Sequence, residues 1–466
     1  MERLTPLAAA FLHAEDSEPA TSMAIASTAI FEGPPPPFDD FVATIGGRLP
    51  LVPRYRQRIR PVPFDLGAPV WVDEPHVDLR WHIRRTALPP PGGQAELATL
   101  MSRVMSQRMD RRRPLWEYWF CEGLEDGRWA LISKVHHCLV DGVSGTELYN
   151  VIFDPTPTRA APVDDRWEPQ PAPSTLRLTA GAIRDLALTP LTQARVVGSA
   201  LLSPATLARR AEETVRGLVT LSAALLPATR SSLVGPIGPH RRYTWTTASL
   251  TDVRTIRRAL GGTVNDVALA AISGGFRALL LSRGEQPTEH AIRSLVPVSA
   301  REPGEESIPD NRVSLMLPFL PVEGDDAVER LRTVRTRIAK LRKAREAEAG
   351  ENLTALAERE PFLPVALGVR LGFHLPQRQI VTVTTNVPGP RRPIYALGHK
   401  VLHIIPYVPI ASRIRIGISI FSYGDDLTFG ITGDYDSAPD LDVLTHGIDT
   451  TIAELLAADR GATERA

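Results

Sequence analysis

The chain has 466 residues, of which 43% are hydrophobic and 23% are charged, which is an ordinary globular composition. A single hydrophobic core rarely extends to this length, so we expect two domains. Lysine and arginine total 53, as do aspartate and glutamate, which gives no electrostatic reason to expect nucleic acid as a partner and no strong overall attraction to anionic lipid.

The two cysteines, Cys121 and Cys138, are too few for the disulfide framework of a secreted protein. We therefore expect a reducing, cytoplasmic location, and we interpret Cys138 as a small buried residue in an apolar stretch. The N-terminus carries charges early and lacks the apolar core of a signal peptide. The longest suggestive uncharged run, residues 217–229, is shorter than the ~18 residues of a spanning helix, so we expect at most peripheral contact with membranes.

The first third of the chain alternates strand-like and helix-like stretches. Residues 23–33 alternate in polarity before a proline-rich turn and predict a strand. The segments "FDDFVATIGGRL" and "PGGQAELATLMSRVMSQRM" predict helices. "WEYWFCEGLEDGRWALISKVHH" predicts a hairpin with "EDG" at its turn. The proline-rich stretch from Pro155 to Pro173 predicts a linker.

The remaining two thirds begin with a helical segment, residues 177–228, which we interpret as a connector between domains. A second mixed region starts near Arg241. "TVNDVALAAISGGFRALLLSRG" predicts a helix that opens with a capping box of Thr263 and Asp266 and ends near Gly284. A long charged helix is predicted over residues 325–360. Strands are predicted at "RSLVPVSA", "NRVSLMLPFLP", "QIVTVTTNV", "RIRIGISIFSYG" and "DLTFGITGDYD".

The stretch "ISKVHHCLVDGVSG" places two histidines at the end of the predicted hairpin. Neighbouring residues of a strand point to opposite faces, so His136 and His137 should not converge on one metal ion. The ordinary pKa of an imidazole, near ~6.5, suits a general base at neutral pH, so one of the two histidines could take that role. Asp141 could orient the base or pair with an arginine and hold the turn, and Gly142 permits unusual backbone conformations. The alternative is a strand end whose polar groups are satisfied locally.

The segment "HHCLVDG" matches the HHxxxDG motif of CoA-dependent acyltransferases. "RRRPLWEYWF", "TVNDVALA", "LVPVSAR", "TTNVPGP" and "SYGDDLTFGITGDYDSAPD" follow in order along the chain, which resembles the bacterial wax ester synthase/acyl-CoA:diacylglycerol acyltransferase family over nearly its whole length. The resemblance implies an α/β (α+β) fold of two chloramphenicol-acetyltransferase-like domains, each a mixed β-sheet flanked by helices, with a channel between them. The corresponding ranges are 1–175 for the N-terminal domain, 176–240 for the helical connector and 241–466 for the C-terminal domain.

The resemblance also implies an activity, the esterification of diacylglycerol or a long-chain alcohol with fatty acyl-CoA as co-substrate. It assigns the general base to His137 and a structural part to Asp141, with no cofactor and no metal. The partners are then acyl-CoA, diacylglycerol or fatty alcohol, and peripheral contact with the inner membrane face or lipid bodies. Two alternatives remain open: acyl or peptidyl transfer onto another acceptor, as in natural-product condensing enzymes, and a non-catalytic lipid- or CoA-binding relative.

Several other residues are candidates for the site. Asn265 lies in the first turn of its predicted helix, where donors and the helix dipole favour developing negative charge, although a plain capping role is an equal alternative. For the remaining candidates the resemblance implies substrate contact, whereas core packing or a plain turn would produce the same residues. These candidates are Glu15, Pro114, Leu115, Trp116, Gly142, Asn386 and Gly389.

No glycine-rich phosphate loop occurs in the sequence. CoA would then be held by scattered basic groups, and Arg241, Arg242 and the basic stretch from Lys340 to Arg345 are the candidates. A basic run is more often a solvated helix face.

Overall fold

The computed structural model describes residues 2–140, 149, 151–159, 161, 163–185, 231–299, 313–348 and 380–463. Two predicted site residues, Asp141 and Gly142, lie outside the described residues. So do residues 186–230 of the predicted connector and residues 349–360 of the predicted charged helix.

The first half of the chain forms the strands and helices that the sequence predicts there, together with the unpredicted helix α1 (Pro6–Ser17) and several short elements. Its strands are β1 (Ala24–Phe31), β2 (Gln57–Arg60), β3 (Val70–Asp73), β4 (Ile83–Ala87), β5 (Trp116–Glu122) and β6 (Trp129–His136). Its helices are α1 (Pro6–Ser17), α2 (Phe38–Arg48), α3 (Leu79–His82), α4 (Gln94–Ser106) and α5 (His137–Val140). The predicted hairpin is confirmed as β5 and β6, which pair antiparallel.

The second half also follows the predicted order. Its strands are β7 (Arg241–Ser249), β8 (Ile292–Ser299), β9 (Val313–Met316), β10 (Phe319–Leu320), β11 (Thr382–Pro388), β12 (Tyr395–Ala396), β13 (His399–Tyr407), β14 (Ile416–Tyr423) and β15 (Asp426–Asp434). Its helices are α6 (Leu250–Leu260), α7 (Val264–Ser282), α8 (Ala327–Glu348) and α9 (Leu441–Thr463). The strands β7, β12 and β13 and the helices α6 and α9 are absent from the sequence prediction.

Two large mixed sheets organise these elements. The first has six strands in the order β12-β13-β1-β6-β5-β4, with β4 parallel to β5 and the other pairs antiparallel. The second has seven strands in the order β10-β8-β11-β14-β15-β7, with β9 added beside β8. In it β11 runs parallel to both β8 and β14. Each sheet packs against its own hydrophobic core, in agreement with the expected two-domain architecture.

Helix α7 is the central helix of the second core. The predicted capping box is present, because Thr263 Oγ1 accepts from the Asp266 N–H at 3.2 Å and Asp266 Oδ2 accepts from the Thr263 N–H at 2.8 Å. Among the described residues α7 is the one helix long and apolar enough to cross a membrane, and 72% of that window is buried inside the protein. Close packing on α9 depends on Gly275, where a Cβ atom would lie 2.7 Å from the Leu444 carbonyl oxygen.

The C-terminal half of the chain contributes two strands to the first sheet. Although β12 and β13 belong to the C-terminal half of the chain, they complete the first sheet, and β13 pairs antiparallel with β1. The predicted boundaries at residues 175 and 240 stay a prediction, and the predicted C-terminal range includes these two strands of the first sheet.

Helix α4 of the first half lies along β7, the edge strand of the second sheet. The Gln94 side chain donates to the Trp245 carbonyl oxygen at 2.8 Å, and the Arg241 N–H donates to Ser106 Oγ at 2.9 Å. Polar side chains of α4 therefore pair with backbone groups that an open sheet edge would expose.

Candidate active site

The histidine pair lies where β6 ends and the short helix α5 begins. The backbone N–H of His136 donates to the Leu115 carbonyl oxygen and that of His137 to the Met23 carbonyl oxygen, both at 3.0 Å. The strand therefore ends one residue earlier than predicted, yet the two rings still point into different surroundings. His136 is 1% exposed, whereas His137 is partly exposed and stacks on Phe11 with ring centroids 3.9 Å apart.

The His136 ring is held on both of its nitrogens. Nδ1 accepts from the Cys138 N–H at 3.2 Å and lies 2.9 Å from the Cys138 thiol. Nε2 lies 3.2 Å from Glu15 Oε1. Because Nδ1 accepts a hydrogen bond, Nε2 is the nitrogen that carries a proton toward Glu15. His136 is thus part of the frame of the turn rather than an exposed base, and Cys138 is buried as predicted.

Glu15 is the carboxylate at the centre of this frame. It is 2% exposed, and it accepts from the Met23 N–H at 2.7 Å and from Arg111 Nη2 at 2.8 Å. Burial alone would raise the pKa of Glu15, but the hydrogen bonds that the carboxylate accepts from His136, Arg111 and the Met23 backbone outweigh burial and lower the pKa to about 2. All of these contacts are with protein groups, so Glu15 fixes the beginning of β1 and the back of the histidine turn. Its predicted contact with substrate stays a prediction.

The Pro114-Leu115-Trp116 element lies in the first core. The Trp116 ring is fully buried, with Tyr55 stacked at 4.6 Å and His82 at 4.4 Å between centroids. Its Nε1 donates to the Tyr55 carbonyl oxygen at 3.0 Å. These contacts favour the packing interpretation of the element, while the Leu115 backbone fixes His136. Contact of the three side chains with substrate stays a prediction.

Asn265 and Asn386, which are distant in sequence, meet in the second half of the fold. Asn386 Nδ2, on β11, donates to Asn265 Oδ1 at 3.0 Å. The capping of α7 is carried by Thr263 and Asp266, so the Asn265 side chain is available for another role at the helix N-terminus. With its oxygen engaged, the amide nitrogen of Asn265 is the group that can donate to a ligand.

The end of β11 packs closely on β14. The Gly389 N–H lies 3.3 Å from Ser422 Oγ, and a Cβ atom at Gly389 would lie 2.2 Å from the Ser422 carbonyl oxygen and 2.4 Å from the Phe421 ring. Phe421 in turn stacks on Tyr149 with centroids 6.2 Å apart. Gly389 therefore permits a close strand approach, and Tyr149, which follows the HHxxxDG segment in sequence, connects this strand pair to the first half.

Comparisons with known proteins decide the family. A model of the wax ester synthase/diacylglycerol acyltransferase catalytic domain matches residues 4–268, and a model of the C-terminal domain of the same family matches residues 310–456. The chain belongs to this family. A probable diacylglycerol O-acyltransferase of Mycobacterium tuberculosis (strain H37Rv) is 41% identical over 460 residues, which cover 99% of this chain and 97% of that protein.

Solved structures share the fold of this chain. The wax ester synthase/diacylglycerol acyltransferase of Marinobacter aquaeolei VT8 is 28% identical, with a TM-score of 0.66 over 98% of this chain and 99% of that one. The first condensation domain of a calcium-dependent antibiotic synthetase shares the fold at 16% identity, with a TM-score of 0.57 over 98% and 96% of the two chains. The predicted family, fold class and acyltransferase activity are confirmed.

For this wax ester synthase/diacylglycerol acyltransferase family member, three contributors to the site went unpredicted. Phe11 stacks on the His137 ring, Arg111 pairs with Glu15, and Lys134 is a fully buried ammonium that donates to the Val104 and Gln107 carbonyl oxygens at 2.8 and 2.6 Å. The only sequence signal for Arg111 is the run of arginines before Pro114. Among the described residues, no His, Cys, Asp and Glu side chains are grouped as a metal site.

Proposed function

We propose that the chain transfers a fatty acyl group from acyl-CoA to the hydroxyl of diacylglycerol or a long-chain alcohol, with His137 as general base. The observation that carries this proposal is the difference between the two imidazoles. His136 is buried and its ring contacts Glu15. His137 is partly exposed, and its backbone N–H donates to the Met23 carbonyl oxygen. The 41% identical relative that is named a diacylglycerol O-acyltransferase supports diacylglycerol as one acceptor.

The chemical step needs one base and one group for the oxyanion. His137 removes the hydroxyl proton of the acceptor as the oxygen attacks the thioester carbonyl. The tetrahedral oxyanion collapses and expels the CoA thiolate, which takes the proton back from the imidazolium. The products are an ester and free CoA, so protons and charge balance. The Asn265 amide, at the N-terminus of α7, is our candidate donor to the oxyanion.

The Glu15 frame positions the base through the backbone. Glu15 accepts from the Met23 N–H, and the carbonyl oxygen of the same residue accepts from the His137 N–H. The His136 ring accepts from the N–H of the residue after the base. The backbone of the base is therefore connected to the Glu15–Arg111 ion pair through Met23 and to its neighbouring imidazole through the Cys138 N–H.

The acceptors of this reaction are apolar lipids, so we propose that the chain works in the cytoplasm in peripheral contact with the inner membrane face or with lipid bodies. Exposed apolar side chains support such contact, Phe64 being 89% and Leu176 79% exposed. Membrane fractionation of cells that express the protein, with and without a salt wash, would test it. If all of the protein stays in the soluble fraction and none is found on the membranes before the salt wash, peripheral binding is contradicted.

Product identification tests the function. Purified protein is given radiolabelled acyl-CoA with either diacylglycerol or hexadecanol, and the products are separated by thin-layer chromatography. His137→Ala should lose about 10²–10⁴-fold in rate, and the exposed His76→Ala provides the control. Wild-type rates in the His137 variant would refute the base. Wild-type protein that forms neither ester with acyl-CoA would refute the function and would favour the non-catalytic or condensing alternatives.

A further inference from the structure

A large groove lies where the two halves meet, between α4, the beginning of β7 and the N-terminal end of α9. Its volume is about 1130 Å³, enough for a ligand larger than most single metabolites. Residues of both halves line it, including Arg103 and Ser106 from α4 and Arg242 from β7. The groove is separate from the residues that we assign to proton transfer.

The lining of the groove is positively charged in a protein of zero net charge. The lining includes the guanidinium groups of Arg103 and Arg242 but only one carboxylate, that of Asp442. Arg103 is exposed on the surface of α4. A guanidinium group binds phosphate oxygens through two parallel hydrogen bonds, so such a lining favours a phosphorylated ligand.

An aromatic side chain lies beside these arginines. The Tyr435 ring is 45% exposed, and the Arg242 guanidinium lies over one of its faces, 4.1 Å from the centroid. Arg242 Nε also donates to the Tyr435 carbonyl oxygen at 2.7 Å, and the His240 ring approaches edge-on at 6.2 Å. A ring held in this way can stack on a planar base while the neighbouring arginine meets phosphate.

Arg241, which the sequence suggested as a CoA contact, has a different part. It is buried and donates to the Gly238, His240 and Ala20 carbonyl oxygens. It therefore forms the floor of the groove and connects that floor to the segment before β1.

This connection sets the distance from the groove to the base. Arg241 Nη2 lies 2.5 Å from the Ala20 carbonyl oxygen, and Met23, three residues later, accepts from the His137 N–H. An extended chain spans at most about 3.6 Å per residue, so the floor and the His137 backbone are within about 20 Å of each other. An extended pantetheine arm covers a distance of this order.

We propose that this groove binds the adenosine 3′-phosphate 5′-diphosphate portion of CoA, with the adenine on Tyr435 and the phosphates on Arg103 and Arg242. This inference rests on the proposed function, since it takes acyl-CoA as the donor. The pantetheine arm then runs past the Arg241 floor toward His137 and carries the thioester to the base.

The first test compares two thioesters of the same fatty acid. For Arg103→Ala/Arg242→Ala, the KM for acyl-CoA should rise by at least about tenfold, the loss expected for charge-assisted hydrogen bonds, with little change in kcat. The KM for the acyl-pantetheine, which lacks the nucleotide, should not change. The control is Arg257→Ala/Arg258→Ala, which removes the same charge from exposed positions on α6. An unchanged KM for acyl-CoA, or an equal rise for both thioesters, would overturn the proposal, as would a rise caused only by Lys340→Ala/Arg342→Ala.

The second test measures binding without turnover. Adenosine 3′,5′-bisphosphate is titrated calorimetrically into His137→Ala protein, which should bind it as the wild type does. Binding should be lost in the Arg103/Arg242 variant and weakened in Tyr435→Ala, but kept in Tyr435→Phe, which retains the ring. Equal binding by all variants would overturn the groove. If the bisphosphate binds as expected but no ester is formed, the proposed function fails and the groove stands. If ester is formed while the groove variants behave as wild type, the groove alone fails.

Discussion

Replacing Glu15 by glutamine isolates the charge at the centre of the site's frame. The variant keeps an oxygen for the Met23 N–H but removes the negative charge that His136 and Arg111 face. A pKa lowered from the ordinary value of 4.5 to about 2 corresponds to about 3 kcal/mol of folding stability at neutral pH. We therefore expect Glu15→Gln to lower the free energy of unfolding by up to about 3 kcal/mol and to lower kcat, because the Met23 carbonyl that holds His137 is less firmly placed.

The stabilisation by Glu15 should also depend on pH in a defined direction. The folded pKa of Glu15 is the lower one, so its stabilisation is complete above the unfolded value of 4.5 and is lost as the pH falls through about 2. Urea unfolding of wild type and variant should differ by about 3 kcal/mol at pH 7 and by about 1 kcal/mol at pH 3. The control is Asp16→Asn, which removes the exposed partner of the same arginine and should cost at most about 1 kcal/mol. Equal effects of the two substitutions, or a difference that does not depend on pH, would refute the reasoning.

Three further predictions concern other parts of the molecule. Asn265→Ala should reduce kcat by about 10²–10³-fold with little change in KM if its amide donates to the oxyanion; steady-state kinetics would measure this, and a rise in KM alone would contradict it. Burial lowers the pKa of Lys134 from 10.5 to about 8, so the folded protein releases this proton at a lower pH than the unfolded chain does. The free energy of unfolding of the wild type should therefore rise by up to about 3 kcal/mol, relative to that of Lys134→Met, between about pH 8 and pH 10.5. A constant difference between the two proteins across that range would disprove it. Gly275→Val should force α7 away from α9 at the Leu444 carbonyl, at a cost of about 1–3 kcal/mol or more; an unchanged melting temperature would argue against it.

Local patterns predicted most elements because their signals are local. The capping box at Thr263 and Asp266, the "EDG" hairpin and the alternating strand β14 each depend on a few neighbouring residues. Strand β13 is also apolar, but nothing in its own sequence says that it pairs with β1, which is far away in the chain. Its place depends on which sheet has an open edge, and this is a property of the whole fold.

The site shows the same limit. The sequence singled out Asn265 and Asn386, but their hydrogen bond joins positions 121 residues apart, and no spacing rule predicts it. Strand alternation correctly predicted that the two imidazoles point into different surroundings, although it could not predict which of them is buried. Glu15 came from the resemblance alone, since its meaning depends on Arg111 and His136, which approach it only after α1 has packed against the end of β6.

The family's fold is shared with condensation domains at 16% identity, so the architecture by itself does not choose the acceptor. The discriminating features are the groups around the reacting atoms and the surface that receives the donor. For this reason the comparison of acyl-CoA with acyl-pantetheine is informative about both: it separates recognition of the nucleotide from the chemistry at His137.

The two strands that the C-terminal half adds to the first sheet restrict how this protein can be opened or divided. Strand β13 is hydrogen-bonded to β1, and β1 begins directly after Met23, whose carbonyl oxygen accepts from the His137 N–H. A rotation of one lobe away from the other would therefore break the hydrogen bonds of the sheet that supports the catalytic turn. Entry of two bulky lipids must then proceed by movements of side chains and loops around a fixed frame. A fragment cut between the lobes would leave β1 paired with β6 but without β13, its neighbour on the other side. We therefore expect neither fragment to be active when it is produced alone.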